Sequence, residues 1–143
     1  MLNLREEQMA DHFVKHHVEG LPTAAVIHQF SQVDHGPAHD HPWGFYSFVL
    51  HGGYVEEVFD RDTGASKLVS HTVGESFYVP ATHIHRIVHL PAGECFTVIL
   101  PGEPEQKSGF WEFRADGAYH RLWDQAEFQR VSEPAGTRPR PIY

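Results

Sequence analysis

The pattern of hydrophobic and polar residues at the N-terminus of the chain is typical of an amphipathic helix. Its apolar residues fall roughly on one helical face: Leu2, Ala10, Phe13, Val14 and Val18. Asn3 can cap this helix, and Glu6 stands three residues later, as in a capping box. Gly20 and Pro22 then form a stop signal. The pattern predicts a helix within residues 1–22.

From residue 24 the pattern changes to short β-like runs separated by Gly, Pro and Asp. The runs are Ala24–Phe30, Phe45–Leu50, Tyr54–Phe59, Lys67–Val73, Ser76–Val79, Ile84–Leu90, Phe96–Leu100, Phe110–Phe113 and, after Gly117, Tyr119–Trp123. Asp62-Thr63-Gly64 is expected to close a hairpin. Strands at such spacing favour a mainly β sandwich or barrel over residues 24–123. Asp124–Arg130 is predicted as a short helix, and residues 134–143 as an extended tail.

Length and charge narrow the class of protein. The chain has 143 residues, which suits one domain over 1–143. Its 11 basic and 19 acidic residues give a formal net charge of −8, which disfavours nucleic acid as a partner. No apolar run approaches a membrane span, the N-terminus lacks a signal-peptide pattern, and the single cysteine forms no intrachain disulfide. We expect a cytoplasmic protein without a membrane partner.

Histidine is the abnormal residue, with 13 copies in the chain. His39 and His41 are two apart, so on a strand both rings project from the same face. His83 and His85 repeat this spacing at the start of another strand. Two such pairs can converge on one metal ion, because imidazole is a common metal ligand. Surface-loop histidines are the alternative interpretation of each pair.

Together the two clusters resemble the two sequence motifs of the cupin superfamily. The first motif is carried by His39-x-His41 and by Gly52 or Gly53. The second is carried by Gly74, Pro80 and His85 at the family's intervals. The resemblance spans about residues 24–100 and implies a jelly-roll (double-stranded β-helix) barrel with His39, His41 and His85 as metal ligands. It also implies a homodimer, since small cupins commonly pair.

The sequence departs from the family at the fourth ligand. Cupins place a glutamate where this chain has Phe45 or Tyr46. The centre therefore has three histidines, unless His35 or His83 supplies a fourth ligand. Tyr46 is our candidate catalytic residue, as a phenol beside the metal that donates a hydrogen bond or relays a proton.

A three-histidine centre is similar to those of cysteine dioxygenase-type cupins and of diketone dioxygenases. Nitrogen ligation suits a divalent transition metal: Fe(II) is favoured by the resemblance, while Zn, Ni, Cu and Co fit the same ligands. The leading hypothesis is a dioxygenase-like oxidation of a small substrate that chelates the metal. The alternatives are a non-catalytic cupin that binds a small molecule or metal, and a Zn-dependent isomerase or hydrolase.

Three further residues are given structural interpretations. Glu56 and Glu57 are adjacent on a predicted strand, so they point to opposite faces and do not form a catalytic pair. Cys95 leads into an apolar strand and is expected to be a buried, inert thiol.

Overall fold

The structure, a computed structural model, describes residues 1–131, and in that range it contains strands and no helix. The strands are β1 (Asn3–Ala10), β2 (Phe13–Glu19), β3 (Ala25–Phe30), β4 (Ala38–His39), β5 (Phe45–His51), β6 (Tyr54–Phe59), β7 (Ser66–His71), β8 (Ser76–Val79), β9 (Ile84–His89), β10 (Cys95–Pro101), β11 (Gly109–Arg114), β12 (Gly117–Leu122) and β13 (Gln129–Arg130). The predicted tail at 134–143 lies outside the described residues. Each of the nine predicted β runs corresponds to a strand of the structure, with bounds that agree to within two residues at each end.

The strands form two antiparallel sheets that pack face to face. One sheet has the order β1-β2-β3-β10-β5-β8, and the other has the order β13-β12-β11-β4-β9-β6-β7. The core between them draws side chains from β5 and β10 on one side and from β6 and β9 on the other. Its buried members are Val49, Tyr54, Ile87, Leu90 and Cys95. This arrangement confirms the prediction of a mainly β fold of the sandwich or barrel class.

The predicted N-terminal helix is wrong. Residues 1–22 instead form a hairpin, in which β1 pairs with β2 and β2 pairs with β3 over the stretch from Phe13 to Val18. The apolar positions of this segment suit a strand as well as a helix, and Val14 and Val18 are β-branched. Pairing decides between them, because β2 satisfies the backbone groups along β3 that would otherwise form an open sheet edge.

The C-terminal part of the described chain contains a second correction. Residues 124–130 contain no helix, and Gln129–Arg130 pairs as β13 with β12. The predicted hairpin after β6 is present: β6 and β7 pair in register across the turn at residues 60–65. In that turn the Asp60 side chain accepts hydrogen bonds from the backbone amides of Asp62 and Thr63. This is an Asx-type turn.

The two-residue strand β4 positions the site. It lies between β11 and β9, so that His39 stands opposite Phe110 on one side and His85 on the other. Two histidines far apart in the sequence are thereby neighbours across one ladder. Residues 1–131 contain no helix with the length and apolarity needed to cross a membrane.

Candidate metal centre

The structure brings His39, His41 and His85 together. One ring nitrogen of each lies within 4.8 Å of one ring nitrogen of each of the others. The ring centroids are 5.4 Å apart for His39 and His41, 4.8 Å for His39 and His85, and 5.0 Å for His41 and His85. Imidazole nitrogens bind a metal at about 2.1 Å, so small side-chain adjustments let all three reach one ion.

The residue between the first two histidines anchors their backbone. Asp40 is only 3% exposed, and its carboxylate accepts hydrogen bonds from the Gly109 amide at 2.8 Å and from Trp111 Nε1 at 2.9 Å. On the neighbouring loop, buried Gln106 donates to the carbonyl of His41 at 2.9 Å. Because Asp40 points away from the cavity, His39 and His41 both project into it, as their spacing predicts.

Burial keeps two of the rings neutral. The pKa of His39 is lowered to about 3, chiefly by removal from water and then by the nearby His85 and His83, while the charge of Glu56 acts in the opposite direction. The pKa of His41 also lies well below 6.5, chiefly through burial and then through His85 and His39. A neutral imidazole offers a lone pair, which is the form that binds metal.

A buried carboxylate that the sequence did not single out lies behind the three histidines. Glu56, on β6, is 3% exposed and contacts three histidine rings. The contacts are His71 Nε2 at 2.5 Å, His83 Nε2 at 2.6 Å and His85 Nδ1 at 3.1 Å. Burial alone would raise the pKa of Glu56, but these hydrogen bonds outweigh it and hold the pKa far below its ordinary value.

The ionised Glu56 sets the tautomer of His85. A carboxylate only accepts hydrogen bonds, so His85 must donate from Nδ1. In the neutral ring this leaves the lone pair on Nε2, available for a metal. A carboxylate that orients a histidine ligand in this way is a recurrent partner of metal sites. Glu56, His83 and His85 also form a second group with metal-ligand geometry.

The sequence does contain an indication that Glu56 is buried, which was overlooked because Glu56 was considered only together with Glu57. It shares the inward-facing parity of Tyr54, which is buried in the core. A glutamate at a core-facing strand position needs a partner, because an unpaired buried charge is costly. Glu57, one residue on, faces the other way and binds Arg86 at 2.8 Å.

The tyrosine prediction needs a correction. Tyr46 is half-exposed on the outer face of β5, where its ring contacts Tyr78 at 5.1 Å between centroids. Phe45, the alternating neighbour, points inward and packs against His41 at 5.0 Å between centroids. The aromatic ring at the position of the family's glutamate is therefore Phe45. The phenol that does line the cavity belongs to Tyr54, whose pKa is raised by burial.

The other candidate ligands are placed as follows. His35 is exposed and contacts Gln32 at 3.2 Å, away from the three histidines. His83 joins Glu56 instead. Asp34 lines the cavity, but its carboxylate accepts a hydrogen bond from the Ile87 amide at 2.8 Å. Cys95 is fully buried with a pKa raised to about 11 by burial, as expected of an inert thiol.

The donor set fits a transition metal. His41 Nδ1 is buried and has no hydrogen-bond partner among the described residues. Such an orphaned nitrogen is unfavourable, and coordination would satisfy the ring that carries it. Three imidazoles without a carboxylate suit Fe(II), Zn, Ni, Cu or Co and disfavour Mg or Ca, which prefer oxygen ligands.

The three histidines face a cavity of about 580 Å³ between the sheets. This volume is in the range of small-molecule sites. The walls are mainly apolar and aromatic, with contributions from Phe13, Phe30, Phe45 and Phe110. The site is thus three clustered imidazoles at the wall of a mainly apolar cavity.

Comparison with known proteins adds the fold family. No family model and no curated protein matches the sequence. Among solved structures, the chain resembles hydroxypropylphosphonic acid epoxidase from S. wedmorenis, with 15% identity and a TM-score of 0.56 over 70% of this chain and 56% of that one. It also resembles oxalate decarboxylase from Bacillus subtilis, with 12% identity and a TM-score of 0.55 over 73% of this chain and 29% of that one. The chain has the cupin fold.

Both neighbours are associated with metals. The epoxidase has an iron(II) form, which matches this chain with 13% identity and a TM-score of 0.51 over 71% of this chain and 56% of that one. The decarboxylase has Mn(II) centres. The chain spans about half of the epoxidase and less than a third of the decarboxylase. At such identities the similarity to these structures establishes the fold alone. The group of three histidines beside the cavity is a candidate site for a divalent metal.

Proposed function

We propose that this cupin binds one divalent transition metal, preferentially Fe(II), through His39, His41 and His85, and oxidises a small chelating substrate in a dioxygenase-like reaction. The observation that carries the proposal is the convergence of three imidazoles, two of them held neutral by burial, on the wall of a mainly apolar cavity. The metal-bearing structural neighbours support a divalent metal in a protein of this fold.

The ligand set leaves room for a substrate. Three neutral ligands leave a bound divalent ion its full charge and open coordination positions, which supplies Lewis acidity and, with iron, reactivity toward O2. Phe45 stands where a fourth, anionic ligand would be, and its ring contacts His41. A bidentate substrate anion can occupy the positions that this phenylalanine leaves open.

The surrounding residues of the chain have separate tasks. Glu56 holds a proton on His85 Nδ1 and so directs the Nε2 lone pair toward the cavity. The aromatic walls provide an apolar surface beside the three histidines, and a ligand that covers this surface displaces water and strengthens electrostatic interactions at the site. Asp40 and Gln106 fix the backbone on which His39 and His41 are carried.

One observation favours a second candidate, a non-catalytic cupin that binds a small molecule or metal. Phe45 replaces a ligand that the family's motif supplies, and loss of a ligand is one route by which a catalytic site becomes a binding site. The two candidates share the metal and the cavity and differ in turnover.

Metal analysis of protein purified without a nickel column, followed by O2 uptake, tests the proposal. We expect about one metal per chain, and O2 consumption by the Fe(II)-loaded protein with at least one compound from a panel of small thiols, diketones and hydroxy acids. His39→Ala and His85→Ala should lose both metal and uptake. Each removes little buried hydrocarbon, so circular dichroism should still show a folded β protein.

His35→Ala is the matched control, because this exposed ring lies away from the three histidines and should change neither quantity. Bound metal with no O2 uptake across the panel would favour the binding cupin, and bound zinc with no uptake would favour hydrolase or isomerase chemistry. Metal retained in full by both ligand variants would refute the assigned site.

A further inference from the structure

The cavity that holds the three histidines also carries one ammonium group. Lys15, on β2, lines the same chamber from the opposite sheet, and its side chain is partly buried. It is the only lysine or arginine among the residues that line the cavity in the described part of the chain. A cation on an apolar wall is unfavourable unless an anion accompanies it.

Carboxylates near Lys15 are engaged elsewhere. Glu7 stands directly opposite Lys15 across β1 and β2, but its carboxylate contacts His17 Nε2 at 2.8 Å. Asp34, the acidic residue of the cavity wall, accepts a hydrogen bond from the Ile87 amide. Within residues 1–131 Lys15 makes no close ion pair. Its ammonium lies 5.8 Å from the centroid of the Phe13 ring, and its charge helps to lower the pKa of Glu7, after the hydrogen bond from His17.

The histidine on the next strand, His28, adds no positive charge to the cavity near pH 7. His28, on β3, is the cross-strand partner of Lys15 and lines the same cavity. Burial, and then the charge of Lys15, lowers the pKa of His28 to about 3, so this ring is neutral near pH 7. Inside a protein of net charge −8, the cavity therefore presents a positive group on each sheet once a metal is bound.

Much of the cavity wall is aromatic. Phe13 precedes Lys15 by two positions on the same face of β2, and it stacks on Phe30 with ring centroids 4.5 Å apart. Both line the cavity, as does Phe45 beside His41. A ligand that fills the cavity thus meets the metal site, aromatic walls and an ammonium.

We propose that the ligand of this cavity is a small amphipathic anion with two polar ends: a chelating group for the metal site, an apolar or aromatic body, and a second anionic group that pairs with Lys15. This proposal rests on the proposed function for its first end only. Lys15 acts as a specificity-determining residue, since it selects ligands that carry a negative charge at the far end.

Two matched probes test the proposal on the metal-loaded full-length protein. One is 3-phenyllactate with a para carboxylate, and the other is the same compound with a para carboxamide, which has nearly the same shape without the charge. We expect the carboxylate probe to bind at least about fivefold more tightly, as judged by calorimetry, because it forms an ion pair with a partly buried ammonium.

Lys15→Gln should abolish this preference by weakening the carboxylate probe and leaving the carboxamide probe within about twofold. Lys15→Arg keeps the charge and should restore the preference. Equal affinities in the wild type, or a preference that survives Lys15→Gln, would overturn the proposal. A general loss of affinity for both probes in Lys15→Gln would also overturn it, because that result shows a structural role.

A separate arm removes the dependence on metal. Metal analysis of the same samples reports whether the proposed function holds. If no metal is bound, 4-ethylbenzoate and 4-ethylbenzamide are titrated into metal-free protein and followed by NMR. A carboxylate preference that Lys15→Gln removes supports the anion site even when the metal proposal fails, and no preference refutes the anion site.

Discussion

At the residue scale, position relative to the sheet decides what two adjacent glutamates do. Glu57 faces outward, and its pKa is lowered by Ser66 and Arg86 at the surface. Glu56 faces inward and is ionised because three histidines donate to it. Each added hydrogen bond stabilises the charged form further. Glu56 therefore holds the orientation of His85 although it is not one of the three clustered ligands.

Substitution of Glu56 by Gln should weaken metal binding about ten- to a hundredfold, the usual cost of losing a partner that orients a metal ligand. The amide keeps the shape, but it can donate as well as accept a hydrogen bond. His85 is then no longer required to donate from Nδ1, so its lone pair is no longer fixed on Nε2. The measurement is a competition titration with a chromophoric chelator.

Glu57→Gln is the matched control, since it changes the neighbouring residue on the opposite face and should leave affinity within about twofold. Glu56→Gln also places an amide among three ring N–H groups, which costs about 1–3 kcal/mol of stability. Affinity is therefore compared at a temperature where circular dichroism shows both variants folded. Unchanged affinity in Glu56→Gln would contradict the positioning role.

His28 carries the second prediction at this scale, which concerns pH. Its pKa is lowered to about 3 in the folded protein, whereas the unfolded chain has the ordinary value of about 6.5. Above pH 6.5 the ring is neutral in both states and pH has no effect through it. Below pH 6.5 the unfolded state gains a proton that the folded state excludes, so stability is lost as pH falls toward 3.

Metal-free wild type should therefore lose more stability between pH 7 and 5 than His28→Gln does, by about 1–2 kcal/mol. Urea unfolding at both pH values measures this difference. His39 and His41 add pH dependence of the same sign, but they are present in both proteins and cancel in the comparison. Parallel losses in the two proteins would show that His28 is not protected from protonation in the fold.

At the element scale, local pattern was enough for most strands and insufficient for the first two. Runs such as Tyr54–Phe59 and Ser76–Val79 were predicted with the bounds that the structure gives, because alternation and flanking turns agree there. In residues 1–22 the apolar spacing fits both periods. The outcome depends on β3, which offers an edge for pairing, and no local signal carries that information.

The residues of the site also divide into those that local spacing predicts and those that only strand pairing brings together. The relation of His39 to His41 is a period-two spacing within one short segment, so the sequence alone placed both rings on one face. The repeated spacing of His83 and His85 suggested a second pair of ligands, and the family resemblance selected His85 from that pair. Glu56 was missed, since its partners lie 15 to 29 residues away in the chain and meet it through the pairing of β6 with β7 and β9.

Tyr46 shows the limit of spacing arguments most directly. A gap of three or four residues after His41 allowed either Phe45 or Tyr46 to fill the glutamate position, and these residues point to opposite faces of β5. The choice depends on the register of β5 against β10 and β8. That register places Phe45 inward and Tyr46 on the outer surface.

At the scale of the whole molecule, the outer face of the six-stranded sheet carries an apolar patch. Alternation along β5 turns Tyr46, Phe48 and Leu50 outward with exposures of 55%, 38% and 50%, and Tyr78 of the edge strand β8 joins them at 53%. Contiguous exposed apolar surface of this kind is typical of interaction sites. The outer face of this sheet is thus distinct from its inner face, which lines the cavity.

We expect this patch to be the interface of a homodimer, in which a second copy packs the same face against it about a two-fold axis. Such pairing covers the edge strand β8 as well as the aromatic rings, and interfaces of this type bury upward of about 1,200 Å².

Light scattering after size exclusion should give twice the 16.3 kDa chain mass for the wild type. Phe48→Glu should shift the protein to the monomer mass, because it places a charge at the centre of the patch. Leu68→Glu is the control, since Leu68 is 68% exposed on β7 of the other sheet and should leave the dimer intact. A monomeric wild type, or a Phe48→Glu variant that keeps the dimer mass, would show that this face is not the interface.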